Sequence, residues 1–108
     1  MEMLRRDSEL IILNREEKIS DGGAGYIYGP PATLEAARFK MVTPTTQLPE
    51  RRSLDGQAIV PEFLLVGRWD ADVRRGDWFF IDGIKYEVIF IHEPRNGYEV
   101  TAEVAYRG

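Results

Sequence analysis

Few side chains in this sequence are of a type that does chemistry. One histidine, His92, stands in Ile91-His92-Glu93-Pro94 at the end of an apolar run. General acid–base work would need a nucleophile or a proton-bearing substrate beside it, and no Gly-x-Ser-x-Gly elbow or other serine motif accompanies it. The plainer reading is a strand-end histidine, packed or hydrogen-bonded. A zinc site would need more histidines or some cysteines, and the chain has one histidine and no cysteine. For the same reason there is no disulfide framework and no thiol nucleophile.

Asp70, Asp72 and Asp77 supply the oxygen donors that hard cations prefer. Counted from Asp70, however, the sixth position is Arg75 where an EF-hand loop needs glycine, and the twelfth is Ile81 where it needs glutamate. These acids read as a solvated loop. Gly22, Gly23 and Gly25 do not complete Gly-x-Gly-x-x-Gly, because position 28 is Tyr28, so they read as backbone freedom in a mobile loop. The pairs Arg5-Arg6, Arg51-Arg52 and Arg74-Arg75, with Tyr26 and Tyr28, could form a small nucleic-acid surface. Acids flank each pair and weaken its field, which leaves solvated loop charge or contacts to a neighbouring subunit as the plainer reading. No cofactor and no metal site are expected.

The elements that must position these residues read as strands. Trp78 to Ile81, then Asp82-Gly83, then Ile84 to Phe90 alternating with Lys85 and Glu87, spells a β-hairpin with a type I′ turn. The alternation places Trp78 and Phe80 in the core. Pro94-Arg95-Asn96-Gly97 is a second turn, and Val100, Ala102, Val104 and Tyr106 alternate with Glu99, Thr101, Glu103 and Arg107 in a last strand. Ile59 to Val66 is a strand with Pro61 at its beginning or at an edge. Glu9 to Leu13 is a short one. Thr33 to Val42 holds helix formers but has room for only about two turns before Pro44, so a strand is expected there. Ser20 to Pro31 is a glycine-rich loop with an extended exit. Thr43 to Gln57, with two prolines and no apolar period, is a loop of a length that usually marks function or disorder.

With 108 residues and 12.4 kDa, the chain makes one domain. The expected fold is a mainly β protein, a small antiparallel β-barrel or sandwich over residues 1–108, with flexible loops at about 14–32 and 43–58. Fourteen basic residues against eighteen acidic ones leave a net charge of -4, which disfavours a protein that clamps duplex DNA by its phosphates. A hydrophobic share of 44% is enough for a core. The longest apolar runs fall far short of the roughly 20 residues that span a bilayer, so no membrane association is expected. The first seven residues are followed by no signal-peptide core, and synthesis in the cytoplasm is expected.

The order of motifs carries more than any one of them. Gly25-Tyr26-Ile27-Tyr28-Gly29-Pro30-Pro31, the strand with Phe39-Lys40-Met41-Val42-Thr43-Pro44, the long polar loop, and Asp72 through Val88 together resemble the head-closure, or stopper, proteins of tailed bacteriophages. The resemblance covers most of the chain. It rests chiefly on the hydrophobic-x-x-Gly-Asp step, here Val73-Arg74-Arg75-Gly76-Asp77, into a hairpin followed by Tyr86-Glu87-Val88.

The resemblance implies a non-enzymatic structural protein of the virion neck, assembled in the host cytoplasm. It implies a homo-oligomeric ring between the portal or adaptor proteins and the tail proteins, through which double-stranded DNA passes without specific binding. By position, the channel-gating loop would be Thr45, Thr46, Gln47, Leu48, Pro49, Glu50, Arg51, Arg52, Ser53, Leu54, Asp55 and Gly56. Tyr26, Tyr28, Trp69, Arg74 and Arg75 are expected at subunit or partner contacts, with Trp69 nearer a contact surface than the core. The N-terminal segment is less like the family pattern than the hairpin. Tail-terminator or adaptor rings of the same neck therefore stay open, as does a monomeric β-barrel that binds nucleic acid or a peptide.

Overall fold

The Asp82-Gly83 turn organises the best-defined part of the molecule. In the computed structural model, which describes residues 8–16, 18–20, 26–28, 32–93 and 97–108, both turn residues have positive φ, 52° and 78°. That is the geometry of a two-residue type I′ hairpin. It joins β10 (Trp78–Ile81) to β11 (Ile84–Ile91), with Ile81 opposite Ile84 and Phe79 opposite Tyr86.

In chain order the preceding strands are β1 (Ser8–Ile11), β2 (Asn14–Arg15), β3 (Lys18–Ser20), β4 (Tyr26–Tyr28), β5 (Ala32–Thr33), β6 (Ala37–Val42), β7 (Arg51–Arg52), β8 (Ala58–Ile59) and β9 (Phe63–Arg68). The last is β12 (Glu99–Tyr106). One antiparallel sheet takes eight of them in the order β1-β6-β9-β12-β11-β10-β2-β5 and curls into a half-barrel. Two small two-stranded sheets, β3-β4 and β7-β8, complete the described residues. The all-strand, antiparallel architecture is the one expected.

The half-barrel encloses Phe39, Leu65, Phe79, Val88, Val100, Ala102 and Val104, with Ile11, Leu13 and Val73 closing the ends. Phe79 is fully buried and stacks on Tyr86 at 5.6 Å, which in turn meets Phe63 and Tyr106 edge-on.

Several expectations are corrected. Phe80 is 57% exposed and Trp78 half-buried, while Phe79 is in the core. Four consecutive apolar residues carry no alternation of their own, and the pairing of Phe79 with Tyr86 decides the face. On β11 the expected period breaks at a β-bulge: Val88 faces Val104, but Phe90 faces Glu103, with Ile89 inserted between. Phe90 therefore leaves the core side and Ile91 takes it. Pro61 lies in the break between β8 and β9 instead of inside a strand, and β9 runs on to Arg68.

Both expected loops contain strands. In the segment 14–32, Asn14 and Arg15 pair with Thr33 and Ala32, and Lys18 to Ser20 pair with Tyr28 to Tyr26. The first pairing extends the eight-stranded sheet beyond β10, and the second is a separate two-stranded sheet. Gly22, Gly23, Gly25, Pro30, Pro31, Arg5, Arg6 and the turn residues Pro94 to Asn96 lie outside the described residues. In the segment 43–58, β7 pairs with β8, Arg51 opposite Ile59 and Arg52 opposite Ala58.

Candidate functional site

The β7-β8 hairpin is built by its own turn. Ser53 is buried, and its hydroxyl donates to the Asp55 carboxylate while accepting from the Gln57 amide at 3.2 Å. The Gly56 amide returns to the Ser53 carbonyl at 3.0 Å, and Gly56 has φ +87°. The hydrogen bond from Ser53, with that from the Gln57 amide, holds the Asp55 carboxyl below the usual carboxylate range.

This hairpin lies on the outer face of β11 and β12. Arg51 reaches over the Phe90 ring, its guanidinium carbon 3.7 Å from the centroid, and pairs with both oxygens of Glu103 at 2.9 and 3.0 Å. His92 Nε2 meets the same carboxylate at 2.8 Å. Glu103 is 1% exposed. Burial pushes its carboxyl upward, and the hydrogen bonds from Arg51 and His92 overcome that, holding it below the ordinary range. The carboxylate that orients His92 is thus also the counterion of Arg51. His92, directly after β11, is an imidazole hydrogen-bonded by a neighbouring carboxylate.

Arg74 and Arg75 sit where this hairpin meets the barrel. Gly76, with φ +95°, turns the chain into β10, and a Cβ there would collide with Leu54 of the β7-β8 hairpin. Arg75 reaches back: Nε donates to the Ile89 carbonyl at 3.1 Å, and the far nitrogen donates to the Arg52 carbonyl. Leu54, Asp55, Arg74, Arg75, Trp78 and Lys85 are among the residues lining a cleft of about 700 Å³. The structure therefore brings the second half of the expected gating loop together with the expected contact pair Arg74-Arg75.

Asp77 also differs from its sequence reading. It is 1% exposed rather than solvated. Its carboxylate accepts from Arg15 at 2.9 and 2.8 Å and from the Arg74 amide at 2.9 Å. Arg15 also forks to Asp72 at 3.2 Å. The hydrogen bond to Asp77 leads in raising the Arg15 pKa. The Gly-Asp step thus closes a turn and fastens β2 beside β10. No group of three or more potential metal ligands stands together among the described residues.

The first half of the expected loop is different. Thr45, Thr46, Gln47, Pro49 and Glu50 are exposed and Leu48 half-buried, and residues 43–48 edge a cleft of about 390 Å³ with Val60, Pro61 and Glu62. Trp69 lies apart from the Arg75 cleft: it is 50% exposed, as expected, and its amide donates to the carbonyl of the exposed Tyr98 at 3.2 Å. Tyr26 and Tyr28 lie on β4.

Sequence reasoning missed Glu103 and Arg15. Glu103 stands where β12 alternates outward, a position that is ordinarily wet, and Arg15 stands in a segment that reads as a loop. No local signal marks them.

No family model, no curated protein and no solved structure matches the chain.

Proposed function

We propose that this chain is a structural subunit of a tailed-bacteriophage neck, a stopper that assembles as a ring between the portal or adaptor and the tail. What supports the reading is a largely exposed loop on a rigid mount. Residues 43–50 run outside any strand between β6, paired on both sides in the main sheet, and Arg51, tied to a buried carboxylate. Such a loop changes direction without disturbing the sheet. In a ring, one loop from each copy closes the channel by bulk.

Charge is consistent with this reading. The net charge is -4, and Arg15, Arg51 and Arg107 face the chain's own carboxylates, so a polyanion finds little to hold. The exposed Trp69, Phe80 and Tyr98 offer the aromatic contact area that subunit interfaces favour.

The test is a deletion of Thr45 to Glu50 in the virion. Deleting Arg51 to Gly56 would confuse the result, because it strands Glu103 without its main cation. The expected outcome is a protein still found at the portal–tail junction and heads that leak packaged DNA. Full, stable heads refute the gating assignment, and absence from the junction refutes the neck reading. A purified monomer that binds single-stranded nucleic acid, with affinity falling steeply with salt, would instead identify a solitary binding module.

A further inference from the structure

We infer that the β7-β8 hairpin is a flap held shut by the buried carboxylate of Glu103, and that losing this charge pair releases it from the barrel without unfolding the barrel. The inference does not depend on the neck reading.

The interior core is complete without the flap. Ile11, Leu13, Phe39, Leu65, Val73, Phe79, Val88, Val100, Ala102 and Val104 form it, and none belongs to residues 51–59. Beside the flap lies a separate patch. Ile89, which lines a cleft together with Arg51 and Arg52, is 1% exposed yet stands outside that interior cluster, and Arg51 covers the ring of its neighbour Phe90. Barrel and flap are thus two packing units that share β11 and β12.

The ties between them are mainly polar. Arg51 holds Glu103, Arg75 holds the Arg52 carbonyl, and Arg107 reaches Gln57 Oε1 at 3.3 Å. Leu54 adds an apolar contact above Gly76. Of the polar ties, only the first involves a nearly inaccessible ion. A carboxylate so buried is tolerated because Arg51 comes from the flap and His92 from the end of β11. Arg75, Arg107, Glu87 and Asp55 stand along the same edge and make their contacts with other groups.

With the charge gone, Arg51 gains more from water than from a neutral amide. The flap then opens about the chain on either side of residues 51–59. Opening lifts Arg51 from the Phe90 ring and uncovers Ile89 beside it, between His92 and Arg75.

Native-state hydrogen exchange on the full chain at neutral pH tests this, comparing wild type with Glu103→Gln and Arg51→Met. The amides of Ser53 and Gly56, bonded within the flap, should exchange about 10- to 100-fold faster in both variants. The amides of Val88 and Arg107, bonded within the barrel, should remain the slower set and exchange through an opening with a larger denaturant dependence than that of Ser53 and Gly56. One shared opening free energy and one shared denaturant dependence for both sets means the pair only stabilises the whole fold, and overturns the flap. So does unchanged exchange at Ser53 and Gly56. If Glu103→Gln fails to fold, Arg51→Met decides on the same two outcomes.

Discussion

Arg51 and Glu103 are 52 residues apart in sequence and meet through two hydrogen bonds, at 2.9 and 3.0 Å. The pair turns the end of a long irregular segment into a fixed point on the barrel wall. It also makes part of the stability depend on pH.

Glu103 has a folded-state pKa below its ordinary value. Its contribution is therefore fully present above the unfolded carboxylate pKa of about 4.3 and lost as pH falls through the lower folded value. Denaturant midpoints measured from pH 6 down to pH 2.5 should fall for wild type, and less steeply for Glu103→Gln. At pH 7 that variant should lose about 1–3 kcal/mol, the worth of hydrogen bonds to a charged group.

Glu87 runs the other way. Burial raises its pKa, and Arg107, 3.2 Å away, only partly opposes this. A raised folded pKa gives stability that is present below the unfolded pKa and lost as pH rises through the folded one. Glu87→Gln should change stability at pH 7 by less than about 1 kcal/mol after solvent screening, in the stabilising direction. Destabilisation by more than that would show that the Arg107 contact dominates.

Phe79 and Phe80 are neighbours with opposite fates. Phe79→Ala empties a fully buried site and should cost about 3–5 kcal/mol, whereas Phe80→Ala on the exposed face should stay within about 0.5 kcal/mol. Chemical denaturation of the two single variants distinguishes this register from the reverse one.

Gly76 is constrained twice, by its φ of +95° and by Leu54 above it. Gly76→Ala should cost the backbone strain of about 1–3 kcal/mol plus the clash. In a double-mutant cycle, Leu54→Ala should recover the clash and leave the strain, so the two changes should not add.

Asp77 joins β2 to the turn before β10. Asp77→Asn leaves Arg15 with Asp72 alone and should cost about 3 kcal/mol. A loss below about 1 kcal/mol would show that Asp72 replaces it.

The parts of this molecule open to reading in one dimension are those where neighbouring residues carry the information. Asp82-Gly83 between apolar runs specifies a hairpin because only certain residues accept positive φ in succession. The alternation along β12 puts Val100, Ala102 and Val104 inward because one face of a half-barrel is dry. Short apolar runs separated by turn signals likewise point to an all-strand antiparallel fold.

Other features were decided only when distant segments met. The face taken by Phe79 depends on its partner Tyr86, and the switch at Phe90 on one bulged residue opposite Glu103. Glu103 and Asp77 look like solvated acids until Arg51 and Arg15 arrive from 52 and 62 residues away. Burial of a charge is a property of what covers it, and the covering groups here come from other turns of the chain. Local spacing has no term for that.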